Sequence, residues 1–166
     1  MKHRESEQTQ LRVSRLLNRD SVMLHAEMPS VQTALETLVE LQESNGVITN
    51  GTAYYKAVCE RERAGGTTAI GEGLAIPHAC NAGVASLGLA ALTLTRGLDW
   101  GAADGKLVDM IFMVAVPPDR QSDHLLILAR IVNLLSDHRL TEKLRMADTR
   151  EAFIRILNQT EAAIFA

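Results

Sequence analysis

The chain has 166 residues, of which 46% are hydrophobic and 22% are charged, and its formal net charge is -3 at pH 7. This length and composition are typical of one globular domain, and the slight negative charge argues against nucleic-acid binding, which calls for a clustered basic surface. Cys59 and Cys80 are too few for a disulfide framework and indicate a reducing, cytoplasmic compartment.

The N-terminal ten residues are polar and lack the apolar core of a signal peptide, so we expect a frayed extension there. From Leu74 to Thr95 the chain carries no Asp, Glu, Lys or Arg, as a membrane span would. Pro77, His78 and several glycines interrupt this stretch, so we expect no direct membrane insertion.

The first elements are read from apolar clusters and capping residues. Leu11 to Leu24 holds short apolar clusters and predicts an edge strand or two short extended pieces. Ser30 can cap a helix that Asn45-Gly46 ends. Thr49 or Asn50 can cap a second helix, whose charged end lies at residue 63.

Two buried strands are expected after a glycine-rich connector. The glycines of this flexible connector are Gly65, Gly66, Gly71 and Gly73. No Gly-Lys-Ser/Thr follows them, so a nucleotide-binding loop is not expected. Leu87 to Thr95 and Leu107 to Val116 are apolar runs that predict buried strands, and Pro117-Pro118 ends the second.

Three helices follow. The first begins at Ser122 or Asp123, and the other two span Leu140 to Met146 and Thr149 to Leu157. The buried side of the first is predicted to carry Leu125, Leu128, Ile131, Val132 and Leu135. Three aromatic side chains are predicted to lie in the core: Trp100, Phe112 and Phe153.

The stretch from Gly71 to His78, Gly-Glu-Gly-Leu-Ala-Ile-Pro-His, places a histidine directly after a proline. Pro77 fixes its own φ and favours extended backbone at Ile76, so His78 stands on a stiff backbone. An imidazole with an ordinary pKa of ~6.5 is largely neutral at cellular pH and keeps a free lone pair. The stretch therefore suits a nucleophilic histidine, while the spacing alone also fits a structural histidine beside a loop.

This stretch, with Thr67-Thr68 and Glu60 to Arg63 before it, resembles the phosphorylation-site signature of a known family. The family is the enzyme IIA domain of the fructose/mannitol (type 2) class of the bacterial sugar phosphotransferase system. Further segments resemble the family in the same order, and the resemblance covers roughly residues 11 to 160. They are Val13 to Ile48, Gly97 to Trp100, Asp104 to Val116, and His124 to Ala129.

The resemblance implies a single three-layer α/β/α domain at residues 11 to 160, with helices on both faces of a small mixed sheet of four or five strands. It implies a phosphotransferase reaction in which His78 accepts a phosphoryl group from the phosphocarrier HPr and passes it to a cysteine of an enzyme IIB domain. Such a relay needs positioning and charge stabilisation but no metal or organic cofactor. A regulatory relative, the nitrogen-type enzyme IIA, would use the same histidine as a signalling switch without moving sugar, and this alternative stays open.

His124 is the second candidate site residue. It falls in the first turn of the third predicted helix, where the positive end of the macrodipole disfavours an imidazolium and favours a bound anion. The resemblance assigns to it a supporting hydrogen bond to the phosphoryl group, so we expect the rings of His78 and His124 to lie close together. Without the resemblance, an ordinary surface histidine fits the same position.

The family also carries an arginine before its site histidine, which would stabilise the charge on the transferring group. Arg61 keeps the Arg-Glu pair of the family pattern and is our preferred match. Arg63 is the alternative, because the spacing holds one extra residue around Gly65-Gly66. A solvated, charged helix end is the other interpretation of both arginines.

A zinc site is an alternative from another class. His78, Cys80 and His124 offer three ligands, although their spacing is not that of a structural zinc module and no fourth ligand is evident. Many members of the family carry a basic residue where Cys80 or Asn81 stands. The remaining histidines lie in polar segments and are predicted to have no site role: His3, His25 and His138.

Overall fold

The computed structural model describes residues 11–165, and the predicted frayed extension at residues 1–10 lies outside them. The helices and strands, in chain order, are α1 Val13–Leu16, β1 Val22–Ala26, α2 Val31–Ser44, α3 Gly51–Ala64, β2 Ala69–Gly71, β3 Leu74–Ala75, β4 His78–Cys80, β5 Gly88–Leu98, β6 Val108–Val116, α4 Gln121–Leu135, α5 His138–Met146 and α6 Arg150–Phe165. Short 3-10 turns precede β1 (Arg19–Ser21) and α4 (Pro118–Arg120). Within residues 11–165, no helix combines the length and apolar character that a membrane span requires.

All six strands belong to one mixed sheet in the order β1-β5-β6-β3-β2, with β4 also paired to β6. β5 and β6 form the antiparallel centre, while β3 and β4 both run parallel to β6. Ile76 and Pro77 separate β3 from β4, because a proline has no N–H for the ladder. The chain resumes pairing at His78, which lies opposite Val114 of β6.

Helices cover both faces of the sheet. The core on one face joins α2 and α3 to the sheet, and the core on the other joins α1, α4, α5 and α6 to it. Alternate residues of β6 enter the two cores: Phe112 and Val114 face the larger helical layer, whereas Ile111 and Met113 face α2 and α3. This burial on both faces explains the unbroken apolar run, and the predicted three-layer α/β/α fold is confirmed, with six strands instead of four or five.

Capping residues in the sequence correctly predicted where α2 and α3 begin. The hydroxyl of Ser30 accepts a hydrogen bond from the Thr33 N–H at 3.2 Å, and α2 ends at Ser44 with Asn45 as its C-cap, as expected. Between the two candidate caps of α3, Asn50 is the one used, since its side chain accepts from the Ala53 N–H at 3.1 Å. The predicted core aromatics Trp100, Phe112 and Phe153 are all buried.

The prediction of extended backbone from Leu11 to Leu24 was wrong for most of its length. Only the segment from Val22 onward is a strand, and α1 lies before it. The buried carboxylate of Glu161 accepts hydrogen bonds from the N–H groups of Val13 at 2.6 Å and Ser14 at 3.1 Å, and from the Ser14 hydroxyl at 2.7 Å. A side chain of α6 thus satisfies the first N–H groups of α1. The residues next to Val13 and Ser14 in the sequence do not reveal this distant contact.

The glycine-rich connector was also mispredicted in part, because β2 and β3 form a hairpin there. Gly71 and Gly73 flank its turn with φ of +94° and +79°, a left-handed region that favours glycine. The backbone of Glu72 between them is held by two neighbours. Its N–H donates to Asp104 at 2.8 Å, and its carbonyl accepts from Arg145 at 2.6 Å.

The predicted buried side of helix α4 is correct for Ile131 and Leu135, and Leu128 packs partly buried against the core, but Leu125 and Val132 were placed wrongly. Its buried residues are Ile127, Ile131, Leu134 and Leu135, whereas Leu125 is 77% exposed and Val132 is 45% exposed. The helix is apolar on more than one side, so helical periodicity alone did not select the buried stripe. The packing of α4 on the sheet decided it.

Replacing Glu161 by Ala removes the three hydrogen bonds that its carboxylate accepts and leaves two N–H groups of α1 unsatisfied. We expect the free energy of unfolding, measured by urea denaturation, to fall by about 2–3 kcal/mol. The control is Gln159→Ala on the exposed side of the same helix, which should change stability by less than about 0.5 kcal/mol. Equal losses in the two variants would contradict the proposed anchoring of α1.

Candidate functional site

The imidazole of His78 is held by the backbone just before it. Its Nδ1 lies 2.8 Å from the carbonyl oxygen of Ile76. A carbonyl only accepts, so Nδ1 carries the hydrogen and donates it. The lone pair is therefore on Nε2, which makes no hydrogen bond to any described residue and is not fully buried. This arrangement selects one tautomer and one reactive nitrogen.

His78 is half-buried, and its pKa lies below the ordinary value for histidine. Burial is the main cause, and the positive charge of Arg61 lowers the pKa further. The hydrogen bond to Ile76 and the negative charge of Glu62 oppose these effects by favouring the imidazolium. The balance keeps the ring neutral near pH 7, which is the form that has a lone pair to share.

His124 lies beside His78, as predicted. The two ring centroids are 5.0 Å apart and the ring planes make an angle of 69°. Within residues 11–165, Nε2 of His124 finds no hydrogen-bond partner although it is buried. Burial, followed by the charges of His78 and Arg61, lowers the pKa of His124 as well. The site thus contains a second neutral imidazole with an unsatisfied ring nitrogen.

The position of His124 follows from the start of α4, of which it is the fourth residue. Arg120 occupies the N-cap position but donates its side chain to the Asp123 carboxylate, and no described side chain caps this helix. The backbone N–H groups of the first turn therefore receive no cap from the side chain of Arg120. Their partial positive charge favours an anion next to His124.

Arg61 lies in the last turn of α3. Its Nη1 donates to the Gly66 carbonyl at 3.0 Å, and its guanidinium lies so close to Gly65 that a Cβ there would be 2.5 Å from Nη1. The Arg61 charge acts on the pKa of both imidazoles. Arg63 instead lines a concavity of about 500 Å³ beside Trp100. Of the two candidate arginines, Arg61 is the one placed within electrostatic reach of the rings.

The zinc alternative does not hold. Among residues 11–165 no three His, Cys, Asp or Glu side chains converge as a metal site would require. Cys80 packs its side chain against the apolar core under α4 to α6. Of the remaining histidines, His3 lies outside the described residues, and His25 contacts the Ala147 carbonyl at 2.8 Å through Nε2.

The sequence analysis assigned no role to two groups that shape the site. One is the Ile76 carbonyl, which orients the imidazole of His78. The other is Glu62, whose carboxylate accepts from the Thr68 N–H at 3.1 Å and from the Trp100 indole N–H at 3.4 Å. The Arg-Glu pair was the available signal for Glu62. The Arg-Glu pair did not indicate that Thr68 and Trp100 would donate hydrogen bonds to Glu62.

Together these groups make a site for a compact, multiply charged anion. One neutral imidazole offers a lone pair, a second offers a free ring nitrogen, and a guanidinium and a helix N-terminus supply positive potential. A phosphoryl group has the matching charge and acceptor oxygens.

Comparison with known proteins agrees with this chemistry. The family model described as "Phosphoenolpyruvate-dependent sugar phosphotransferase system, EIIA 2" matches residues 15–160. The fructose-specific EIIABC component of Bacillus subtilis is 30% identical over 149 residues, which are 90% of this chain and 23% of that protein. The chain thus spans about a quarter of the length of such a multi-component relative.

Two solved structures share the fold. The nitrogen regulatory protein IIA-Ntr from Neisseria meningitidis superposes with a TM-score of 0.81 at 27% identity, covering 87% of this chain and 98% of that one. Enzyme IIAMtl from Escherichia coli, in its complex with phosphorylated enzyme IIBMtl, gives a TM-score of 0.73 at 17% identity, covering 86% of this chain and 96% of that one.

Because a positive charge on His78 lowers the pKa of His124, replacing His78 by Gln should raise the pKa of His124. The change removes the charge of His78, but burial remains, so the pKa should stay below ~6.5. Ring-proton NMR spectra recorded against pH measure this directly. His138→Gln, at an exposed position of α5, is the control and should leave the pKa of His124 unchanged. An unchanged His124 in the His78 variant would show that the rings do not interact.

The same depressed pKa values predict how stability varies with pH. Below pH ~6.5 the unfolded chain protonates these two histidines more readily than the folded chain does. Their contribution to the free energy of unfolding is therefore complete above that pH and declines as the pH falls. Urea denaturation at several pH values should show a shallower decline for the double variant His78→Gln/His124→Gln than for the unaltered chain.

Proposed function

Because the chain belongs to the EIIA 2 family of the phosphoenolpyruvate-dependent sugar phosphotransferase system, we propose that it is a phosphoryl-relay component that carries the group on His78. The observation that carries this proposal is the state of the His78 imidazole. Nδ1 donates to the Ile76 carbonyl at 2.8 Å, and the lowered pKa keeps the ring neutral, so that Nε2 holds a lone pair, is unpaired among the described residues and is not fully buried.

The transfer is an in-line displacement at phosphorus. The Nε2 lone pair of His78 forms a new N–P bond as the N–P bond of the donor phosphohistidine breaks, and the donor imidazole leaves with the electron pair. His78 keeps its Nδ1 hydrogen, and the Ile76 carbonyl stabilises the positive charge that the ring acquires. The second transfer reverses these roles when a thiolate attacks the same phosphorus.

Three groups would stabilise the charge on the transferring phosphoryl group. His124 would donate a hydrogen bond from the Nε2 that is otherwise unsatisfied, and the first N–H groups of α4 would face the same oxygens. Arg61 would add positive charge from α3. His124 and Arg61 thus take supporting roles, and His78 alone forms the covalent bond.

The phosphoryl donor in this scheme is HPr, and the acceptor is a cysteine of an enzyme IIB domain. The complex of enzyme IIAMtl with phosphorylated enzyme IIBMtl, which has the same fold, supports an IIB partner for this chain. Leu125 and Leu126 follow His124 and are 77% and 55% exposed. They offer an apolar surface on which a protein partner can dock while its reactive residue reaches His78.

A nitrogen-type regulatory role is the second candidate function. The likeness to IIA-Ntr favours it, because the two chains share 27% identity and this chain covers 98% of that structure. The chemistry at His78 would be the same in both cases. The phosphorylation state of His78 would then bias a protein contact, and the group would not move on to a sugar.

Incubated with phosphorylated HPr, the protein should gain an acid-labile, base-stable phosphoryl group, and His78→Ala should gain none. His124→Ala should still accept the group, but about tenfold to a hundredfold more slowly, because one charge-assisted hydrogen bond is lost and the nucleophile stays intact. A radiolabel on the phosphoryl group of HPr and mass spectrometry measure the phosphoryl group gained by each variant. Cys80→Ala is the control and should be phosphorylated like the unaltered protein.

A phosphorylated His78→Ala protein would show that the nucleophile is assigned wrongly. In the same mixture, addition of an enzyme IIB domain separates the two candidate functions. Loss of label from His78 to the IIB cysteine supports the relay, whereas label that stays on His78 supports the regulatory function.

Replacing Leu125 by Asp should weaken docking and leave the chemistry intact. The new charge stands at a 77% exposed position on the proposed docking surface, so KM for phosphorylated HPr should rise about tenfold while the maximal rate stays within about twofold. The control is Val132→Asp, an equal change that is 45% exposed two turns further along α4. Equal effects of the two changes would argue against docking at Leu125.

A further inference from the structure

The carboxylate of Glu62 lies where the end of α3 meets the hairpin that precedes His78. We propose that Glu62 is a positioning residue for phosphoryl transfer: it holds Thr68, and through Thr68 it holds the Ile76 carbonyl to which the His78 imidazole is bonded. This inference rests on the proposed function, because it concerns the orientation of the phosphoryl-accepting ring.

Glu62 makes an unusual set of contacts for a residue in the last turn of a helix. Its Oε2 accepts from the Thr68 N–H at 3.1 Å, and its Oε1 accepts from the Thr68 hydroxyl and from the Trp100 indole N–H at 3.4 Å. The three donors come from two segments outside α3, and Thr68 is only 5% exposed. By contrast, Glu60 on the same helix points to solvent. The Glu62 carboxylate therefore anchors α3 to the hairpin.

Two further hydrogen bonds connect this anchor to the reactive ring. The Thr68 carbonyl accepts from the Ile76 N–H at 3.0 Å. The Ile76 carbonyl in turn accepts from Nδ1 of His78 at 2.8 Å. Only Thr68 and Ile76 stand between the carboxylate and the imidazole, so a shift of Thr68 would turn the Ile76 carbonyl and with it the ring. Transfer rates depend steeply on such orientation.

Glu62 also acts on His78 through its charge. It raises the pKa of His78 and so opposes burial and Arg61. The charged or titratable groups that face His78 are Arg61 and Glu62 from α3 and His124 from α4. Removing the Glu62 charge should lower the pKa of His78 still further. Loosening the site would instead expose the ring and raise the pKa towards its ordinary value. The two effects have opposite signs, so they can be told apart.

The test compares Glu62→Ala and Glu62→Gln with Glu60→Gln as the matched control. With phosphorylated HPr, Glu62→Ala should lower the maximal rate at least about tenfold while KM stays nearly constant, since the exposed surface around His124 is intact. Glu62→Gln keeps an amide oxygen for the Thr68 N–H and should lose less. In NMR titrations Glu62→Gln should lower the pKa of His78 and leave that of His124 unchanged, and Glu60→Gln should alter neither.

Thr68→Val tests the same contact from the other side, since it removes the hydroxyl that donates to Glu62 and keeps the backbone N–H. It should slow transfer in the same direction as Glu62→Ala. Normal rates in both variants would overturn the positioning role. If instead the unaltered protein gains no phosphoryl group at His78, the proposed function itself fails, and the two failures are thus distinguishable.

Discussion

The hydrogen bond from Nδ1 of His78 to the Ile76 carbonyl is the contact on which the site depends. It spans only two residues, yet it fixes the tautomer, the plane of the ring and the nitrogen that is free to react. The bond is available because Pro77 interrupts the strand, so that β3 and β4 pair with β6 on either side of a short break. The sheet makes the backbone rigid, and the break in it leaves the Ile76 carbonyl free to hold the imidazole of His78.

The site also holds one group that the resting structure leaves unsatisfied. The buried Nε2 of His124 lacks a hydrogen-bond partner among residues 11–165, and such an atom costs about 1–3 kcal/mol. A phosphoryl group on His78 would satisfy it and would also meet the N–H groups at the start of α4. Part of the stability of the phosphorylated protein would therefore come from the hydrogen bond that Nε2 of His124 lacks in the unphosphorylated protein.

The two helical layers contribute different parts of this site. Arg61 and Glu62 come from the end of α3 on one face of the sheet, and His124 comes from the start of α4, which packs on the other. Arg61 and Glu62 push the pKa of His78 in opposite directions, so the ring stays neutral without depending on a single neighbour. The β2–β3 hairpin joins these parts, because Thr68 and Ile76, which flank it, connect α3 to the strand that carries His78.

Much of the fold and part of the site could be predicted from the sequence, wherever the cause lies within a few neighbouring residues. Ser30 and Asn50 begin helices because their side chains accept hydrogen bonds from N–H groups three residues further on. The unbroken apolar run of β6 indicates burial on both faces, and Pro77 restricts the backbone before His78. Packing and contacts between distant segments could be decided only in the tertiary structure. The carboxylate of Glu161, 147 residues from Ser14, accepts hydrogen bonds from the start of α1, a segment that was predicted as a strand. Leu125 is exposed because other residues of α4 pack against the sheet. Glu62 shows the same limit at the site, since its partners Thr68 and Trp100 meet it only when α3, the hairpin and the loop after β5 come together. Local hydrogen bonds and backbone restrictions are written in adjacent residues, whereas burial and long-range hydrogen bonds exist only once the chain has folded.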